Sequence, residues 1–301
     1  ASFAVSLPRY AKAGLAAALC LMPAVSAVEN YGLYFNTQAK NPYCWHEFAA
    51  DAWTAGMFVR EKGPSWKAVA HVEQYKKRVF SLAAYGDNSQ RFTPFAMDKS
   101  LPMKDYDGNL VYMLTPHYLP LIDAVLKRMY PKGELLPFYN KYAPSWMLYY
   151  AYVVFGWHMK ENPAQGFDRH GLVFKRWQNA KFAGEPSSVG RVPVVLLDPD
   201  YGDLSYEWTG KLLVTARGKH SFLLKSRGKS ALFIDNKVVV LNEGSPRQPL
   251  SRQGNAVLNP GYHDIRVIYS QEKTFAALEL RWSQPVGGDE LIPVDRFTFG
   301  Q

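Results

Sequence analysis

The 301 residues carry 35 Lys and Arg against 26 Asp and Glu, a net charge of +9, and 15% of them are aromatic. Two cysteines exclude a disulfide framework, and the lack of a compact Lys/Arg tract or a recognisable recognition motif excludes nucleic acid as a partner. The length allows two units of ordinary size, and +7 of the +9 falls before Arg191, which points the basic excess toward acidic lipid headgroups or acidic proteins.

Arg9 and Lys12 precede an apolar core from Ala13 to Val25, closed by the small residues Ala24-Val25-Ser26-Ala27. That order is an export signal or a membrane anchor over residues 1–27, with Leu15, Leu19 and Leu21 facing lipid. Ala1-Ser2-Phe3-Ala4 is faintly similar to the processing junction of proteins imported into red-lineage plastids, which makes the segment a thylakoid-transfer signal; an ordinary secretory signal is the alternative.

Residues 28–190 read as a helical, aromatic-rich region. Helices broken at Gly63-Pro64 are predicted between Thr37 and Ala84, with Trp66, Val69, Ala70, Val72 and Tyr75 near helical spacing. Pro120 and Pro131 bracket a short helix from Leu119 to Met129. Ala143 to Met159 is an uncharged run between Lys141 and Lys160 that predicts a bilayer-crossing helix. Its membrane residues are Trp146, Leu148, Val153, Val154, Phe155 and Trp157, the two tryptophans standing where interface anchors do. His46, His117 and His158 lie in aromatic or apolar surroundings and are the candidates for holding a pigment metal, though each also reads as a hydrogen-bonded core histidine. No catalytic motif is present, so no enzyme is expected.

Residues 191–301 are short strands with turn residues every eight to twelve positions, the pattern of an antiparallel β-sandwich. Asp198-Pro199-Asp200 forms a turn, Asp235-Asn236 joins two strands, and Asn259-Pro260-Gly261 turns into two longer strands, His263 to Tyr269 and Phe275 to Trp282. The fold class is therefore α+β and multidomain, with an N-terminal helical, membrane-associated region followed by the sandwich.

From Tyr206 to Phe299 the landmarks Trp208-Thr209-Gly210, Gly218 with Phe222, Ile234-Asp235, Asn259-Pro260-Gly261 and Leu278, Leu280, Trp282 resemble the protective-antigen-type (fourteen-kilodalton) β-sandwich, a family also found in adhesins and glycosidases. The resemblance implies calcium-dependent sugar binding through an acidic pair in the loop before Ile234. Here that loop is Ser226-Arg227-Gly228-Lys229-Ser230, so Arg227 and Gly228 stand in place of the pair and no calcium is expected.

Together these features predict a non-catalytic accessory subunit of an organellar membrane complex. A photosystem in the plastid thylakoid is first, with integral membrane subunits and the lipid bilayer as partners and chlorophyll, carotenoid or lipid as possible bound groups. The alternatives are a mitochondrial respiratory-chain or ATP-synthase subunit and a secreted carbohydrate-binding protein.

Overall fold

The computed structural model describes residues 8–47, 49–73, 76–86, 92–101, 103, 106–160, 169–197, 201–245 and 247–299. Ala1 to Ala4, Tyr75 and the Asp198-Pro199-Asp200 turn lie outside the described residues. The chain is α+β, with helices concentrated in the N-terminal part and strands dominating the rest.

A single helix, α1 (Arg9–Tyr31), runs through Pro23 and past the small residues that close the apolar segment. Leu15, Leu19 and Leu21 all lie on it, and Leu21 is exposed. Helix α2 (Pro42–Glu47) leads to α3 (Ala50–Lys62), which stops at Gly63, where φ is +89°. The chain then forms strand β1 (Trp66–Ala70), helix α4 (Lys77–Tyr85), strand β2 (Thr93–Pro94), helix α5 (Met97–Ser100) and strand β3 (Asn109–Leu114). Trp66 to Ala70 is thus a strand, not part of a helix. Its Val69 enters one core and Ala68 and Ala70 the other, a period of two that the helical reading does not allow.

The proline-bracketed run is helical as the sequence predicts. It comprises a 3-10 turn Pro116–Tyr118, α6 (Leu119–Leu121), a π-helical turn Ile122–Leu126 and α7 (Lys127–Met129). Strands β4 (Glu134–Asn140) and β5 (Ala143–Val154) follow as a hairpin, and α8 (Gly156–Lys160) ends the lobe. The five strands form one sheet in the order β2-β1-β3-β5-β4, with β1 parallel to both β2 and β3 and the other pairs antiparallel.

The expected membrane helix over 143–159 is corrected by β5. Tyr149, Ala151 and Val153 pack with α3 and α4 on one face, while Tyr150, Tyr152 and Val154 pack with 116–129 on the other. A strand buried on both faces is apolar at every position and reads as continuously as a bilayer span. Trp146, Leu148, Val153 and Val154 sit on this strand, whereas Phe155 and Trp157 follow it and are exposed. Among the described residues no helix is long and apolar enough to cross a membrane.

The second lobe begins earlier than Arg191. Strands β6 (Leu172–Trp177) and β7 (Ser188–Val192) belong to the same sheet as β8 (Tyr201–Val214), with β6 hydrogen-bonded to β8. Then come β9 (Gly218–Ser226), β10 (Lys229–Ile234), β11 (Lys237–Asn242), β12 (Leu250–Leu258), β13 (Gly261–Phe275), β14 (Leu278–Ser283), β15 (Asp289–Leu291) and β16 (Phe297–Thr298). One sheet orders β11-β10-β13-β8-β6-β7, with β16 also on β8, and the facing sheet orders β12-β9-β14-β15. Between them Trp208, Phe222, Tyr269 and Trp282 are buried. Phe275 to Trp282 is broken into two strands, because the chain changes sheets at Ala276-Ala277.

Candidate functional site

One end of the sandwich gathers the Ser226–Ser230 bend, the start of β8, the end of β13 and the segment after β11. The bend is closed by its own hydrogen bonds. Ser226 Oγ donates to the Gly228 carbonyl (2.8 Å) and lies 2.7 Å from Ser230 Oγ. The Arg227 N–H donates to the Ala277 carbonyl, and the Arg227 carbonyl accepts from the Ser245 N–H. Gly244, at φ +69°, must be glycine here, since a Cβ would stand 2.2 Å from the Gly228 carbonyl oxygen. Asn242 ties the same corner by donating to the carbonyls of Leu224 (3.3 Å) and Leu250 (2.8 Å) while accepting from the Gly244 N–H.

Arg227 and Gly228 therefore occupy a rigid bend that offers donors and backbone oxygen but no carboxylate. The Arg227 Nε is buried and has no hydrogen-bond partner. No group of three or more His, Cys, Asp or Glu is close enough to hold a metal among the described residues.

Beside the bend, a β-bulge between Gln271 and Thr274 turns the end of β13 outward. It is fixed from three sides. The Lys273 N–H donates to Asp203 Oδ1 (2.8 Å), Gln271 Nε2 donates to the Thr274 carbonyl (2.8 Å), and Tyr269 Oη donates to Gln271 Oε1 (2.6 Å). Cross-strand register places Phe275 opposite Tyr201, with ring centroids 5.1 Å apart at 61°. Tyr201 is 60% exposed and Phe275 54% exposed, so two large rings held by a braced bulge face solvent next to the bend. Nothing in the local sequence marks them, because Tyr201 and Phe275 become neighbours only through a strand register spanning seventy residues.

The three histidines are not brought together. His46 lies on α2, and His117 Nε2 is 2.9 Å from the Leu197 carbonyl oxygen, where it links the two lobes. His158 is buried against Trp157, ring centroids 3.5 Å apart.

Residues 168–296 match the PA14 domain. No curated protein matches the chain. Among solved structures, an anti-sigma factor domain-containing protein is 19% identical with a TM-score of 0.41, over 44% of this chain and 48% of that one, so the aligned part spans about half of that relative. A PA14 sugar-binding domain from an RTX adhesin is 14% identical with a TM-score of 0.39, covering 44% of this chain and 99% of that one. The Epithelial Adhesin 6 A domain of Candida glabrata, solved in complex with Galb1-3GlcNAc, is 10% identical with a TM-score of 0.37, over 44% and 88%.

These matches correct the sequence reading in two respects. The protective-antigen-type assignment over 206–299 gives way to a match to the PA14 domain over 168–296, which starts inside the stretch read as helical. The photosystem or organellar accessory-subunit reading, with its thylakoid location and integral membrane partners, is overturned by the same domain match; among the described residues no helix is long and apolar enough to cross a membrane.

Proposed function

We propose that the chain is a secreted, non-catalytic carbohydrate-binding protein whose sandwich holds glycans without calcium. The observation that carries this reading is the exposed Tyr201–Phe275 pair, braced by the β13 bulge at the same end of the PA14 domain as the Arg227-Gly228 bend. A pyranose ring presents a face of C–H groups that is apolar, and it gains by lying on an aromatic ring in a way that a freely hydrated polar surface cannot offer. Hydroxyl groups at the sugar's edge need donors and acceptors in fixed positions, and Arg227 Nε is a donor at the bend that no group of the fold engages. Calcium needs several hard oxygen ligands, usually carboxylates, which Arg227 and Gly228 cannot provide.

The test is a glycan array probed with the full chain, with and without chelator. Binding retained in chelator and weakened at least tenfold in the double variant Tyr201→Ala with Phe275→Ala supports the proposal. Loss of binding in chelator, an unchanged double variant, or no glycan bound at all refutes it.

A further inference from the structure

The N-terminal lobe holds a cavity whose position follows from its strand order. In its sheet β1 leads through α4 to β2 on one side, while β3 leads through 116–129 to β4 and β5 on the other. The two connections also cover opposite faces: Phe80 and Ala84 of α4 share a core with Val111 and Ala151, whereas Leu121, Ile122 and Val125 share one with Tyr112 and Tyr152. The chain thus reverses direction between the parallel neighbours β1 and β3, and a crevice must open beyond their carboxyl ends. Ligands of open sheets bind in such crevices for this geometrical reason.

A cavity of about 360 Å³ occupies that place. Its floor is made by the residues that leave the two strands: His71 and Val72 after β1, Thr115 and Pro116 after β3. Ala52 of α3 and Trp146 and Met147 of β5 form apolar walls. At roughly 30 Å³ for each water-sized unit, the space takes a ligand of about a dozen such units.

The charged groups at the rim are committed to one another. Lys76, only 3% exposed, donates to Asp51 (2.6 Å) and also pairs with Glu73 (3.2 Å). His71 sits 3.4 Å from Thr115 Oγ1, and burial first, then the neighbouring His117, hold its pKa down to about 4, so the ring is neutral near pH 7. Asn140 differs from these. It is 1% exposed and lines the cavity; its Oδ1 accepts from the Tyr142 N–H (2.8 Å), yet its Nδ2 has no partner. A buried donor left unpaired is destabilising, and a ligand oxygen that accepts from it would remove that cost.

We infer that this cavity is a binding site for an uncharged small molecule with an apolar, aromatic-sized body and a carbonyl oxygen, which accepts from Asn140 Nδ2. Anionic ligands lack an uncommitted cation there. Amines would have to compete with Lys76 for its carboxylates.

The experiment titrates benzamide, benzoate and benzylamine into the full chain and reads saturation-transfer NMR. Benzamide is expected to bind at least tenfold more tightly than the two ionic probes. Asn140→Asp, which keeps the acceptor for Tyr142 and removes the donor, is expected to weaken benzamide at least tenfold. Ala52→Leu fills the cavity from a helical position and is expected to abolish binding while circular dichroism stays native. Failure of all three probes to bind, equal binding of an ionic probe, or wild-type affinity in Ala52→Leu overturns the inference. Glycan binding by the sandwich is measured separately and bears on neither result.

Discussion

His263 lies between two acceptors, with Nδ1 2.6 Å from Asp235 Oδ2 and Nε2 2.8 Å from the Asn259 carbonyl oxygen. Only the imidazolium donates from both nitrogens at once. Burial lowers its pKa, but the Asn259 carbonyl and the Asp235 carboxylate outweigh burial, and the result lies above the ordinary value. The folded state therefore holds its proton more tightly than the unfolded chain. That stability is complete below the unfolded pKa of about 6.5 and fades as pH rises through the folded one. For Asp235 burial raises the pKa, but His263 and the Asp264 N–H prevail and lower it, so its share is present above about 4 and fades as pH falls. The pair is partly exposed, which limits it to roughly 0.2–1 kcal/mol. His263→Gln is expected to cost that amount in urea melts near pH 5.5 and almost nothing at pH 9; a cost independent of pH would contradict the assignment. Asp235-Asn236 was legible in the sequence as a turn, and both residues do take positive φ, +49° and +62°. Its histidine partner, 28 residues away, was not, because it depends on β10 pairing with β13.

Among the elements, α3 and α4 meet where a single glycine allows it. A Cβ on Gly56 would stand 2.6 Å from the Phe80 carbonyl oxygen and 2.7 Å from the Ala83 Cβ. Gly56→Ala brings two opposing effects. Helix propensity favours alanine by about 1 kcal/mol, whereas overpacking costs roughly 1–3 kcal/mol when the neighbour cannot yield. The neighbour here is backbone, so overpacking wins and a net loss of up to about 2 kcal/mol is expected in thermal melts. An unchanged or raised melting temperature would mean that the helices are free to separate. Periodicity revealed the elements unevenly for related reasons. Strands β9 and β14 and the middle of β13 alternate between buried and more exposed positions, so composition and turns located them. The second half of β5, Tyr149 to Val154, is buried at every position and showed no alternation. The cavity beyond β1 and β3 was invisible because it is made by strand order, which no local pattern encodes, and His71 and Asn140 carry no motif.

Across the whole molecule, one apolar core passes from the 116–129 side of the first sheet into the sandwich, including Tyr112, Leu121, Ile122, Leu196, Trp208 and Trp282. The lobes are also tied by polar contacts. His117 Nε2 meets the Leu197 carbonyl, and Arg128 pairs with Asp295 on the exposed rim. A surface ion pair adds little, so the shared core decides whether the lobes unfold together. Ile122 is fully buried in the N-terminal lobe, and truncating such a side chain costs about 2–5 kcal/mol. If the core is one cooperative unit, Ile122→Ala lowers the free energy of opening for the slowest-exchanging amides of β13 by the same amount, although β13 belongs to the other lobe. If the lobes are independent, hydrogen exchange in β13 stays at its original rate while β3 and β5 accelerate. The continuity of buried side chains favours the first outcome, and with it a single unfolding transition in which the Tyr201–Phe275 end of the sandwich and the N-terminal cavity lose their structure together.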